Sequence, residues 1–475
     1  MTMHPPLEPA VASVSLLQLF SGKGMHDTQG QAIQGRLSLP EYQRPYRWSS
    51  SQIAQLAEDL DSHQRQPARH HYYLGSLVLH QTPDGCLNIV DGQQRITSVG
   101  ILCLLAGVES LPALRYSAPQ SQQRIRQNLA ELRQKNLPVT LNLEQINVTL
   151  VITHSQDGAY RFFETQNSGG VRLSGIDIAK AYHLRALEQS QQNRYARRWE
   201  EMGELKPVVD CVMRGRFWQS LDWRDLPSQH TQADRWRNEV IAELADSTAP
   251  EGGDWSYRLQ VSQRGDADAL TLGFASSAYD MRQPLQAGCN SIHYLEQYHA
   301  LWHQHCTDQP TDGALPQSWP ALYRVLVAQS GASLFLRKLF DTALVMYVSR
   351  FGTTHLREAG LWLFRMVYSL RLSNERMVRE SSVQKFAKEN PLLDWIAQSY
   401  THEQLMNRLC KFRYTVDPKN LEKPNGKKRQ HVDAVCQALR LNLAQIDITP
   451  KQIADDFDKA LCRAIAHLLQ PQHTP

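Results

Sequence analysis

The chain has 475 residues, of which 42% are hydrophobic and 21% are charged, and its formal net charge at pH 7 is +4. This is an ordinary globular composition, which excludes a mainly disordered chain, a collagen-like fibre and a coiled-coil rod. No run of about 18 apolar residues occurs, so we expect neither a membrane-spanning helix nor a membrane partner. At about 100–200 residues per domain, the length predicts two to four domains.

The cysteines and the amino terminus indicate the compartment. The eight cysteines are widely spaced, and no Cys-x-x-Cys pair occurs, which argues against a disulfide framework or a zinc ribbon. The first residues lack the basic and apolar regions of a secretory signal. We therefore expect a cytoplasmic protein with reduced thiols. The small net charge neither requires nor excludes nucleic acid as a partner.

The first part of the chain mixes strand and helix patterns. Residues 35–48 contain two prolines and are predicted to be extended, and Ser49 can cap a helix that follows them. Ser174 and Asp177 predict the capped start of another helix. Three segments have the apolar pattern of strands, the first two forming a hairpin: 72–81, 86–90 and 146–154.

Helical periodicity dominates the remainder of the chain. Helices are predicted over 333–349, over 355–371 and from Thr449 and Pro450 onward. The stretches 224–236 and 247–268 are polar and irregular. The fold class predicted is therefore α+β, with a domain with a small mixed sheet at 1–190 and an all-helical domain at 191–475.

The sequence DGQQR at 91–95 lies between a predicted strand and a predicted helix. A glycine turn before a helix lets backbone N–H groups point at an anion, which the helix dipole also favours. Arg95 could form a charge-assisted pair with a phosphate, whereas Asp91 suits a metal, a water or a ribose hydroxyl. Gln93 and Gln94 could hold a base edge, a phosphate oxygen or an attacking water. The same turn is also common as pure structure.

Two further segments combine charged, amide and aromatic side chains. EYQRPYRW at 41–48 interleaves Arg44 and a second arginine with aromatic rings, which suits phosphate contacts and base stacking. The alternative is a loop pinned by its rings. FETQNSGG at 163–170 places Glu164 and Asn167 on one helical face, where their oxygens could bind Mg²⁺. The alternative there is a helix end with a glycine cap.

These segments occur together and in a fixed order, which is the pattern of a known family. The stretches concerned are LPEYQRPYRWSSSQIAQLAEDL, YYLGSLVLHQ, LNIVDGQQRITSV and FFETQNSGGVRLSGIDIAKAY, within residues 35–60, 72–105 and 162–184. They resemble the N-terminal domain of GmrSD-type restriction endonucleases, in which the DGQQR element is highly specific. The resemblance covers roughly the first 190 residues and the rest only loosely.

The resemblance implies a ParB- and sulfiredoxin-like fold that cradles the phosphates of a nucleoside triphosphate (ATP, GTP or CTP) and uses Mg²⁺. By resemblance, the catalytic candidates are Asp91, Gln93, Gln94 and Arg95. The nucleotide-binding candidates are Gln43, Arg44, Gly92 and Arg95. The metal candidates are Glu164 and Asn167. In the family, hydrolysis at this element is linked to control of a nuclease.

The sequence has no recognisable His-Asn-His nuclease segment, which many members of the family carry. HEQLM at 402–406 lacks the second histidine of a metalloprotease motif and is predicted to open a helix. We therefore expect an NTP-hydrolysing subunit of a bacterial restriction system against modified DNA, with the nuclease in a partner chain. Two alternatives stay open: a nucleotide-sensing, DNA-binding module without turnover, and a ParB-like nuclease. A homo-oligomer is also left open.

The segment 411–431 carries seven Lys or Arg residues and is interrupted by Pro and Gly. We expect an exposed basic loop in which Lys427, Lys428 and Arg429 contact the phosphate backbone of DNA. A solvated loop without a partner would have the same composition.

Overall fold

The computed structural model describes residues 9–65, 71–108, 111, 114–116, 118–135, 139, 141–155, 174–250, 253–256, 260–264, 270–274, 279–306, 318–328, 333–374, 377–423, 425–441 and 449–469. Contacts divide the chain into two compact units, Met1–Gly203 and Glu204–Pro475. Among the described residues, no helix is long and apolar enough to cross a membrane.

The first unit is built on a mixed sheet. Its described strands are β1 (Ala10–Ser15), β2 (Met25–His26), β3 (Ala32–Ile33), β4 (Arg36–Ser38), β5 (Tyr72–Gln81), β6 (Cys86–Asp91) and β7 (Ile146–Thr153). The sheet order is β1-β7-β5-β6-β4, and β2 pairs separately with β3. Strands β5 and β6 are antiparallel, whereas β5 with β7 and β4 with β6 are parallel. The predicted hairpin and third strand are confirmed.

Helices flank this sheet. Those described in the first unit are α1 (Leu16–Ser21), α2 (Ser50–Arg65), α3 (Gln93–Ala106), α4 (Pro119–Gln134), α5 (Gly175–Arg185) and α6 (Gln189–Glu201). Apolar residues of α2 and α3, such as Ile53 and Val99, are fully buried in one core with β5 and β7 residues such as Leu77 and Val148. This core holds the end of β6 and the start of α3 in place.

The predicted helix caps are confirmed. The Ser49 hydroxyl accepts a hydrogen bond from the Gln52 N–H at 3.4 Å, and Ser174 and Asp177 form a reciprocal capping box. The segment predicted to be extended, 35–48, contains no helix and is a strand in β4. The chain then turns at 41–42, and long-range hydrogen bonds described below hold the residues that follow.

The second unit is mainly helical. Its helices are α7 (Lys206–Phe217), α8 (Ala233–Ile241), α9 (Cys289–His305), α10 (Trp319–Tyr323), α11 (Leu334–Phe351), α12 (Leu356–Ser373), α13 (Glu380–Glu389), α14 (Leu392–Gln398), α15 (His402–Lys411), α16 (Lys427–Leu439) and α17 (Pro450–Leu469). Short π-helical turns follow α8 at Ala242–Asp246 and α10 at Arg324–Ala328. The central helix α11 is buried along most of its length and contacts α7, α9, α12, α13 and α14.

One element departs from the predicted all-helical domain. Strands β8 (Gln260–Arg264) and β9 (Leu270–Phe274) form an antiparallel hairpin. Each strand is five residues long, which is too short for alternation to stand out. The three helices predicted in this unit are confirmed as α11, α12 and α17.

Candidate functional site

The turn between β6 and α3 is built on Gly92. Its φ of 97° lies in the left-handed region, and a Cβ atom there would lie 2.1 Å from Cδ2 of Leu77 on β5. Both observations require glycine. Within the described part of the chain, no side chain caps the start of α3. The first N–H groups of this helix, together with its dipole, are therefore suited to an anion.

The two glutamines after Gly92 hold the segment that follows β4. Gln93 is buried, and its Nε2 donates a hydrogen bond to the Arg44 carbonyl at 2.8 Å. Gln94 is also buried; its Oε1 accepts from the Arg47 N–H at 2.8 Å, and its Nε2 donates to the Pro45 carbonyl at 3.3 Å. Both amides therefore fix the backbone on either side of Pro45 against α3.

Gln43 fixes the same segment from the sheet side. Its Nε2 donates to the carbonyls of Ile89 and Val90 on β6, each at 2.9 Å. Its own carbonyl accepts a hydrogen bond from Nζ of Lys180 at 3.0 Å. Lys180, on α5, is buried and ion-paired with Glu200 on α6. Arg44 is thus held in place by the bond from Gln93 of α3 to its own carbonyl and by the bonds of Gln43 to β6 and α5.

Arg95 binds a bulge in β5. Its guanidinium donates to the carbonyls of Leu74 at 3.1 Å and Ser76 at 2.7 Å, and lies 3.3 Å from the Asp91 carboxylate. Gly75 separates those two carbonyls at a φ of 111°, and a Cβ there would lie 2.1 Å from one nitrogen of Arg95. The arginine of DGQQR therefore stabilises the strand–turn–helix from within.

Arg44 supplies a half-buried cation close to the start of α3. Burial lowers the pKa of its guanidinium, and the Asp177 and Asp91 carboxylates oppose that shift. The exposed Arg47 lies 3.6 Å from Asp177 on α5. An arginine stays charged even so, and a partly desolvated cation gains from an additional anion.

Two cavities flank this segment and share Pro40. The smaller, of about 30 Å³, is lined by residues that include Arg44, Gln93 and Lys180, and it has room for water only. The larger, of about 550 Å³, is lined by residues that include Tyr42 and Arg185. Its volume lies in the range of small-molecule sites, about 300–1,000 Å³. Burial raises the pKa of Tyr42.

Two segments of the chain match known families. Residues 25–184 match the family described as GmrSD restriction endonuclease, N-terminal domain. This segment belongs to that family. Residues 191–424 match a family of unknown function (DUF7834). No curated protein matches the chain.

The GmrSD-type segment contains nearly all of the site just described. It includes the β6–α3 turn, the 43–48 segment and most of α5, whereas Glu200 lies beyond its end. The structure brings Gln43, Arg44 and residues 91–95 together. Glu164 and Asn167 lie outside the described residues, so their Mg²⁺ role stays a prediction.

Sequence reasoning missed Lys180 and its partner Glu200. Lys180 lies three residues after Asp177, on the same side of α5, and is 3% exposed. A lysine among the apolar residues of a helix was the available signal, because a buried lysine requires a partner. The partner itself comes from a different helix and could not be read from local pattern.

The basic segment near the end of the chain differs from its prediction. Residues 427–429 are not in a loop; they form the first turn of α16. Lys428 is buried, and its Nζ donates to the carbonyls of Asp417 at 2.9 Å and Lys419 at 3.0 Å. Its ammonium group ties a preceding turn to the helix, which corrects the expectation of an exposed DNA contact. Lys427 is exposed, and Arg429 pairs with Asp433 at 2.8 Å.

Proposed function

We propose that the GmrSD-type segment binds a nucleoside triphosphate at the start of α3 and hydrolyses it with Mg²⁺. Membership of this family supports a role as a component of a DNA restriction system. The observation that carries the proposal is the half-buried Arg44, which Gln93 and Gln43 hold beside an α3 start without a side-chain cap. In this proposal the nuclease belongs to a separate partner chain.

The proposal gives the site residues different tasks. The N–H groups at the start of α3 and the Arg44 guanidinium bind phosphate oxygens. Gln43, Gln93 and Gln94 act as positioning residues, because their amides are bonded to backbone groups. The earlier expectation that a glutamine orients the attacking water stays a prediction, as does Mg²⁺ binding by Glu164 and Asn167.

The larger cavity is proposed to hold the nucleoside. The smaller cavity cannot enclose one, so the phosphates would lie across its outer face, on the Arg44 side. Helix α5 lines both cavities, through Lys180 in one and Arg185 in the other. A nucleotide that spans from Arg44 toward Arg185 would therefore contact α5 along its length.

The test is phosphate release from ATP, GTP, CTP and UTP with Mg²⁺, with and without DNA. Arg44→Gln removes the cation and keeps a polar side chain, and we expect turnover to fall by about 100-fold, as for the loss of one preorganised donor. Arg65→Gln on α2, an exposed arginine paired with Asp61, is the matched control. Arg95→Ala is a poorer probe, because it also removes the bonds to the β5 bulge.

The outcomes separate the alternatives. The nucleotide sensor would be supported if the wild-type chain binds nucleotide without hydrolysing it and Arg44→Gln weakens that binding. Metal-dependent nicking of DNA by this chain alone would support the nuclease. If no nucleotide binds, the proposal is wrong.

A further inference from the structure

The second unit contains metal-ligating side chains that the proposed function does not use. One ligand atom each from His355, Glu358 and His402 lies within 4.8 Å of the other two. Nε2 of His402 is 3.1 Å from Oε2 of Glu358. The rings of His355 and His402 stack, with centroids 4.5 Å apart. Three ligands from two helices therefore converge on one point.

Two helix starts build this cluster. His355 precedes α12 and Glu358 lies in its first turn, so the two project from the same end of one helix. His402 is the first residue of α15, which packs against α12. The Thr401 hydroxyl caps α15 by accepting from the Gln404 N–H at 3.3 Å. This cap fixes the backbone that carries His402.

A hydrogen bond to α11 orients the His402 ring. The Tyr347 hydroxyl lies 2.9 Å from Nδ1 of His402, on the side of the ring opposite Glu358. Metal-binding histidines characteristically use their second nitrogen in this way, because the hydrogen bond fixes ring orientation and tautomer. Nε2 is thereby directed toward the carboxylate.

Helix dipoles and carboxylates act in opposite directions at this cluster. The positive ends of the α12 and α15 dipoles both face it and would oppose a bound cation. Two carboxylates in the first turns of these helices, Glu358 and Glu403, offset that potential. His355 is exposed, so an ion can enter from solvent.

We propose that His355, Glu358 and His402 bind one transition-metal ion of the Zn²⁺ class. Two imidazoles and one carboxylate suit such an ion, whereas Mg²⁺ prefers oxygen ligands alone. Bonds of about 2.0–2.1 Å imply ligand atoms about 3.3 Å apart in a tetrahedral site. Nε2 of His402 and Oε2 of Glu358, 3.1 Å apart, are already close to this spacing. Three protein ligands leave one position for water.

A second histidine pair supplies the control. His299 and His303 lie one turn apart on α9, with ring centroids 4.2 Å apart, and such a pair could also bind a metal. The variant His303→Ala removes this pair and leaves the proposed site intact. It therefore distinguishes the proposed site from ordinary histidine affinity elsewhere in the unit.

The experiment is a titration of the chelator-treated full chain with Co²⁺, read by visible absorption, followed by displacement with Zn²⁺. No nucleotide is present, so the result is independent of the proposed function. We expect one ion per chain. His355→Ala and Glu358→Gln should each weaken binding by at least 10-fold, because loss of a ligand costs no less than loss of a residue that hydrogen-bonds to a ligand. Tyr347→Phe should weaken it by about 10–100-fold, and His303→Ala should leave it unchanged.

Circular dichroism of each variant checks that the fold is retained. The exposed His355 makes His355→Ala the safest variant in this respect. The proposal is overturned if the wild-type chain takes up no stoichiometric Co²⁺ or Zn²⁺ at micromolar concentration. It is also overturned if His303→Ala, and not His355→Ala, abolishes binding. In either case the His402–Glu358 contact is an ordinary hydrogen-bonded pair.

Discussion

Arg95 illustrates, at the scale of a residue, how one side chain defines a turn. Its guanidinium binds the carbonyls on both sides of Gly75 and the Asp91 carboxylate. The bulge, the turn at Gly92 and the start of α3 are thus connected through one group. An arginine in a phosphate-binding motif can therefore act first on the protein itself.

We predict that Gly75→Ala destabilises the first unit by more than the same substitution at a turn glycine does. The new Cβ would meet Arg95 at 2.1 Å in a backbone conformation of φ 111°. Strain and the displaced arginine should together lower the free energy of unfolding by about 2–4 kcal/mol. Gly85→Ala is the control, because its φ is 81° but no atom lies within 4 Å of the added Cβ. Urea unfolding of both variants checks this; equal losses would contradict it.

A second residue, Asp341 on α11, predicts a pH dependence. It is buried, and its Oδ1 accepts a hydrogen bond from the Tyr323 hydroxyl at 2.8 Å. Burial raises its pKa to about 7. Because this value lies above the unfolded pKa of about 3.9, the folded chain keeps a proton that the unfolded chain loses. Its contribution to stability therefore falls from about pH 4 to pH 7 and is constant above.

The variant Asp341→Asn removes this titration and keeps an acceptor for Tyr323. We expect the unfolding free energy of wild type minus that of the variant to fall by about 2–4 kcal/mol between pH 5 and pH 8. Denaturant unfolding at the two pH values measures it. A difference that does not change with pH would show that Asp341 is already ionised when folded.

Sequence pattern indicated the residues of the candidate site better than it indicated the roles of their side chains. The DGQQR turn and its flanking elements depend on neighbours in the chain, so pattern was enough. Gln93 donates to the Arg44 carbonyl 49 positions away, and Lys180 donates to the Gln43 carbonyl 137 positions away. Such bonds follow from tertiary packing. The sequence therefore indicated phosphate and water contacts for side chains that hold the backbone.

Between elements, two helical glycines of the second unit lie close to side chains of other segments. A Cβ on Gly360 of α12 would lie 2.2 Å from the indole of Trp319 on α10. A Cβ on Gly215 of α7 would lie 2.1 Å from the sulfur of Met281. The distances are nearly equal, but the obstacles differ, since an indole is rigid and a methionine is flexible.

We predict that Gly360→Ala is the more damaging of this pair. Alanine favours a helix over glycine by about 1 kcal/mol, which opposes the steric loss in both variants. Overpacking against the indole should exceed it, for a net loss of about 1–3 kcal/mol, whereas Gly215→Ala should be close to neutral. Thermal unfolding of the two variants provides the measurement. A loss at Gly215 equal to that at Gly360 would show that Met281 cannot move.

Helical elements of the second unit were predicted well where an apolar stripe is continuous, as in α11, α12 and α17. The hairpin of β8 and β9 was not, because each of its strands is only five residues long. The start of α15 was predicted at His402, but not its contact with Glu358. That residue lies 44 positions earlier, on a helix that the chain brings back only after folding.

For the whole molecule, contacts divide the chain into two compact units. Among the described residues, the buried apolar cluster of the first unit runs from Ala12 to Ile152, and in the second unit α11 is buried along most of its length. The matches to families fall at 25–184 and 191–424. The predicted boundary at 190 falls at the start of α6, which the Lys180–Glu200 pair attaches to the first unit.

We predict that chains 1–203 and 204–475 fold separately, because each encloses its own core and no strand of the described sheets is shared. Each should show a cooperative unfolding transition, as single domains do. Nucleotide binding should stay with 1–203 and Co²⁺ binding with 204–475. Circular dichroism with denaturant, then the two binding titrations, checks this. If either chain unfolds without a cooperative transition, its core depends on the other unit, and the sites cannot be independent.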